Sequence, residues 1–169
     1  MNTAEAIDRS PYAAPQAELR DRTQATEDKL FSAEGRIGIW RYNTRILQGL
    51  LAIMVAAVIM FAGVASESTG VIAATSIPAI IVFFVAVAMM IYSAIKRLHD
   101  LNYSGWYYFI GIIPIVGAIW TLYYALKPGS QEDNRFGAAR EATKADKIMG
   151  VIGIALTFVF TIAAFIPMD

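Results

Sequence analysis

Four stretches of this 169-residue chain contain no Asp, Glu, Lys, Arg or His: residues 46–66, 71–95, 106–126 and 148–168. Each is at least 20 residues long, and a helix of about 20 residues crosses the roughly 30 Å hydrocarbon core of a bilayer. Buried helices of a water-soluble domain would carry a polar face at helical spacing, and none of the four shows one. The expected fold is therefore an all-α integral membrane protein, a small helical bundle with four hydrophobic segments. Composition agrees, with 57% hydrophobic and 17% charged residues and a mean hydropathy of +0.50. Fourteen basic and fourteen acidic residues cancel, so no overall charge points to nucleic acid. The chain has no cysteine, which excludes disulfides, thiolate metal sites and cysteine nucleophiles.

Composition divides the chain into three parts. Residues 1–29 are rich in Ala, Pro and charge without aliphatic periodicity, predicting a disordered cytoplasmic tail with room for a short helix over residues 18–30. The first apolar run follows a long charged region, so the first span is expected to be a retained signal-anchor rather than a cleaved leader. Residues 30–137 form the expected membrane domain, and 138–169 a linker with an additional C-terminal transmembrane helix. Thr143 and Asp146 have the spacing of a capping box opening that last helix. The link between the first two runs is "SESTG", residues 66–70.

Basic residues give the orientation. Seven precede the first run, none lies in the 66–70 link, two follow the second run, five lie between the third and fourth, and none follows the fourth. Short loops rich in Lys and Arg stay cytoplasmic, which places the N-terminus inside and the 66–70 link outside. The third run contains "IPIVG", where Pro114 and Gly117 interrupt a helix. It is either a re-entrant hairpin, which keeps all fourteen basic residues inside, or a kinked span. The hairpin satisfies the charge rule better.

The polar segment "KRLHDLNYSGW", residues 96–106, holds the only histidine, His99. With "IPIVG" and "KPGSQEDNRFG", it resembles a bacterial inner-membrane family called domain of unknown function 805, whose signature runs approximately RRLHDxxxSGWW, IPxxG and PGxxxxNRFG. "GRIG", residues 35–38, is similar to that family's GRxxR element. The resemblance covers roughly residues 30–137. Lys96, Tyr107 and Ile39 depart from the pattern, and the fourth apolar run lies beyond it. The resemblance implies a bacterial cytoplasmic membrane and no particular activity. It marks Gly35, Gly38, Gly105, Trp106, Pro114, Gly117, Pro128, Gly129, Phe136 and Gly137 as structural motif positions.

Two readings of the polar residues compete. His99 with Asp100 could supply a general base, with Ser104 within sequence reach, but neighbouring side chains on a helix diverge and give no triad geometry. One histidine is also a poor start for a metal site. The favoured reading is a polar network or binding cluster of Arg36, Arg97, His99, Asp100, Ser104, Asn134 and Arg135 at the cytoplasmic face. The expected function is a non-enzymatic structural or interaction component, without cofactor or metal. Expected partners are membrane lipids with anionic headgroups, further copies of the chain, or other membrane proteins. The alternatives are a small-solute facilitator or channel-like transporter subunit and, behind it, a membrane enzyme using His99 and Asp100. The spans contain no ionisable side chain of the kind that marks ion pathways.

Overall fold

The computed structural model describes residues 29–139 and 141–163, with side chains described up to residue 159. The expected N-terminal tail, almost all of its short helix, and the end of the fourth apolar run lie outside these residues. The described residues form four α-helices and one 3-10 helix, with a single isolated bridge between Asn134 and Gly137. The helices are α1 (Ile39–Ala65), α2 (Thr69–Asp100), the 3-10 helix (Gly105–Ile112), α3 (Val116–Leu126) and α4 (Lys144–Ala163).

Helices α1 and α2 form an antiparallel hairpin of 27 and 32 residues. Ser66 closes α1 by donating its hydroxyl to the Gly63 carbonyl at 2.6 Å, and Glu67 turns the chain with φ 54°. Thr69 and Gly70, expected in the link, already belong to α2, whose first helical bond runs from Ile72 N to Ser68 O at 2.9 Å. A helix's first turn needs no helical acceptor for its own N–H groups, so turn-prone residues fit there. The two helices meet through small residues: Ala56, Ala79 and Ala86 are buried, and Gly63 lies directly against Thr75. Their outer faces are apolar and open, with Phe61 75%, Ile77 65% and Phe84 64% exposed. Both helices are long and apolar enough to cross a bilayer, and an apolar surface of this extent suits lipid rather than water.

The second helix runs on into the polar segment and ends at Asp100. The helix stops in a Schellman arrangement. Asn102 takes φ 62°, its N–H bonds His99 O at 2.9 Å, and Tyr103 N bonds Leu98 O at 2.9 Å. Asn tolerates this left-handed conformation better than most residues.

The third apolar run doubles back. The 3-10 helix and α3, of 8 and 11 residues, each span about 16 Å at their ordinary rises, roughly half of a hydrocarbon core. They run side by side, tied by Trp120 Nε1 donating to Tyr107 O at 2.9 Å and by the Tyr103 and Tyr123 hydroxyls at 3.3 Å. The tip is a γ-turn centred on Ile115, with φ 66° and ψ −60°, in which Val116 N bonds Pro114 O at 2.7 Å. This is a strained conformation for a β-branched residue. Gly117 is required beside it, since a Cβ there would lie 2.3 Å from Gly111 O.

Helix α4 opens on the expected capping box. Thr143 N and Oγ1 donate to Asp146 Oδ2 at 3.1 and 2.8 Å, and Asp146 N donates to Thr143 Oγ1 at 3.1 Å. The helix docks on the start of α1, where Gly150 and Gly153 face the backbones of Trp40 and Asn43 too closely for any Cβ. Thr44 Oγ1 donates to Asp146 O at 3.1 Å, and Arg41 pairs with Asp146 Oδ2 at 3.3 Å. The packed core of Ile37, Tyr42, Ala94, Leu98, Tyr124 and Ala125 gathers the start of α1 and the ends of α2 and α3 at one pole of the bundle.

Candidate functional site

That pole carries the polar residues. The last turn of α2 presents Lys96, Arg97 and Asp100 inward, all at most 3% exposed. Arg36, on the segment entering α1, is 5% exposed. Asp100 lies between the two arginines: Arg36 Nε donates to Oδ1 at 2.8 Å, and Arg97 Nη1 donates to Oδ2. Burial of charges at this depth costs several kcal/mol per ion unless each remaining donor finds an acceptor.

The acceptors are backbone carbonyls. Arg97 Nε donates to Tyr124 O at 2.8 Å and its Nη2 to Lys127 O, at the end of α3 where helix carbonyls lack partners. Asn43 Nδ2 takes Ala125 O at 3.0 Å as well as Ile39 O at 2.8 Å. Arg36 Nη1 reaches Glu132 O at 2.8 Å and its Nη2 reaches Ser130 O. The Asp100 carbonyl accepts from Ser130 N at 3.1 Å. One carboxylate and two guanidiniums thus fasten four chain segments: the α1 entry, the α2 end, the returning arm α3 and the loop after it. Gly129 is forced by this closeness, because a Cβ there would sit 1.8 Å from Asp100 Oδ2.

His99 faces elsewhere. Its Nδ1 is 3.1 Å from Gly35 O, and its ring stacks on Phe136 at 3.8 Å between centroids with an interplanar angle of 2°. Asn134 Nδ2 donates to His99 O at 2.8 Å while its Oδ1 accepts from Phe136 N at 2.9 Å. Arg135 donates to Asn102 O at 3.1 Å and lies over the Phe136 ring. His99 and Asp100 therefore form no general-base pair: both carboxylate oxygens accept from arginines, and the imidazole bonds a carbonyl. Ser104 starts the 3-10 helix without a side-chain cap bond, and the next residue, Gly105, lies against the His99 ring, where a Cβ would sit 3.4 Å from Nε2. Among the described residues no group of His, Asp and Glu is arranged to hold a metal ion.

Of the residues singled out in the sequence, Arg36, Arg97, His99, Asp100, Asn134 and Arg135 are brought together. Asn43 and Lys96 were not among them, yet both are almost fully buried; Lys96 Nζ donates to Lys29 O. An isolated Asn within "WRYNTR" was the available signal for the first.

A family described as a protein of unknown function, DUF805, matches residues 30–138, well over half of the chain. The chain belongs to DUF805. Every member of the arginine–aspartate network lies inside the matched residues, whereas α4 lies outside them. No curated protein and no solved structure matches the chain. The RLHD and NRFG motifs of this DUF805 member are joined in space by Asn134 and by the His99–Phe136 stack.

Proposed function

We propose that this DUF805 protein is a multi-pass protein of a bacterial cytoplasmic membrane with its N-terminus inside, and that it acts as a non-enzymatic structural or interaction component. In this reading α1, α2 and α4 cross the bilayer, and the 3-10 helix and α3 form a re-entrant hairpin. The buried Arg36–Asp100–Arg97 network carries the proposal. It spends the most polar side chains of the chain on backbone carbonyls, which builds a rigid pole and leaves them no role in chemistry. The hairpin assignment draws support from both its ends lying at that pole and from its arms being too short to span. It also keeps all fourteen basic residues on one side.

The cysteine-free chain allows a direct topological test. Ser130→Cys should label only from the cytoplasmic side and Glu67→Cys only from outside; external labelling of Ser130→Cys eliminates the hairpin. The functional part is tested by photo-crosslinking from the exposed Arg135 position in intact cells. A discrete membrane-protein adduct supports an interaction role. Solute flux through the reconstituted protein, without such an adduct, replaces it with the facilitator reading.

A further inference from the structure

A cleft of about 780 Å³ lies between the first turn of α1, the 128–131 loop and the segment leading into α4. Its lining includes Arg36, Trp40, Ser130, Gln131, Glu141 and Lys147. We propose that this cleft holds the headgroup of an anionic phospholipid, a phosphodiester with its tails running along α1. The inference rests on the membrane placement above and adds a ligand to it.

The volume is that of a small-molecule site rather than of a few waters. At the floor, Asp100 is shared by Arg36 and Arg97, so the charge set there is two guanidiniums to one carboxylate. Arg36 has a side chain only 2% exposed and still lines the cleft. Lys147 is exposed beside it, and Gln131 adds an amide donor. The α1 wall has no side-chain cap and no acid in its first turn, so nothing on that wall competes with an anion. Among the described lining residues Glu141 is the one acid besides Asp100, and it is exposed to solvent.

A lipid, rather than a free anion, is favoured by position. Trp40 and Ile39 share the lining, and the charge-free run of α1 begins at Ile46, about 9 Å further along the helix axis. That is headgroup depth, where Trp rings settle and where basic pockets between membrane helices bind anionic lipids. Glu141 and Lys147 lie beyond the residues matched by the family, so this wall of the cleft comes from outside the matched region.

The test uses the full chain in neutral detergent, titrated with phosphatidylglycerol, phosphatidylcholine or inorganic phosphate, with binding read by native mass spectrometry and thermal shift. Phosphatidylglycerol is expected to bind and stabilise, and the other two to do neither. Lys147→Ala should weaken phosphatidylglycerol about fivefold. Gln131→Trp, which fills the cleft without changing charge, should abolish the shift. Both positions are exposed, so both variants should melt like the wild type without lipid. Phosphatidylglycerol binding unchanged in both variants overturns the proposal. A shift with inorganic phosphate alone overturns the lipid as occupant. Neither failure touches the arginine–aspartate network, whose own test is the lipid-free melting of Asp100 variants.

Discussion

Removing the Asp100 carboxylate should be among the most damaging single changes at the polar pole. Asp100→Ala deletes two charge-assisted hydrogen bonds, from Arg36 and Arg97, and leaves both guanidiniums buried, with side chains 2% and 0% exposed. Breaking a buried pair by deleting one partner costs about 3–5 kcal/mol. Each arginine keeps its carbonyl acceptors, which favours the lower end, about 3 kcal/mol. At roughly 2–4 °C per kcal/mol for a chain of this size, melting should fall by about 6–12 °C. Asp100→Asn should fall nearly as far, because its NH2 group meets a guanidinium donor wherever its oxygen accepts. The assay is melting of the purified protein in mild detergent, read by monodispersity after heating. Arg135→Ala serves as a control, since its exposed contacts predict a shift of no more than about 1 kcal/mol. The pair should also couple: Arg36→Met combined with Asp100→Leu should lose less than the sum of the single changes. Folded Asp100→Ala protein that melts with the wild type, or strict additivity in that cycle, would refute the network as a stabilising element.

Three further outcomes are expected. Gly117→Ala should destabilise by about 2 kcal/mol or more, since its methyl meets the fixed backbone of Gly111 rather than a movable side chain; a melting curve matching the wild type refutes the close approach at the hairpin tip. Ile115→Gly should raise melting stability by about 1 kcal/mol through relief of a positive-φ conformation; a loss of stability shows that the isoleucine's apolar contacts outweigh the strain. Burial pushes the Asp146 carboxyl up, but the Thr143 hydroxyl and N–H and the nearby Arg41 together hold it below the usual aspartate range. A lowered folded-state value means that this cap stabilises above the ordinary aspartate range and fades as pH falls through the lowered one. Asp146→Asn should therefore cost about 1 kcal/mol at pH 7, with the gap to wild type closing as pH falls below the ordinary aspartate range; a gap constant with pH refutes the charge contribution.

The legible parts of this fold are those set by local chemistry. Charge-free length announced α1 and α2, and Thr143 with Asp146 announced the start of α4. Pro114 with Gly117 marked a break, but not its form: a γ-turn centred on Ile115 follows from the two arms packing through Tyr107 and Trp120, a long-range contact that no residue preference encodes. The start of α2 lies before the expected boundary because Thr69 and Gly70 suit turns, whereas the first turn of a helix accepts them. For the candidate site, the charged members could be listed from motifs, but their partners could not. Arg36 and Arg97 bond the carbonyls of Ser130, Glu132, Tyr124 and Lys127, and a carbonyl looks the same in every residue. Asn43 was overlooked for the same reason, since it too grips main-chain oxygen.

Because the guanidiniums hold main-chain oxygen, the gripped segments are recognised by shape alone. Side chains at positions such as Lys127 and Glu132 can be exchanged without withdrawing an acceptor, provided the trace of the chain is kept. Changes in this family should then be tolerated unevenly, with wide latitude on the clasped segments outside Gly129 and almost none on the clasp.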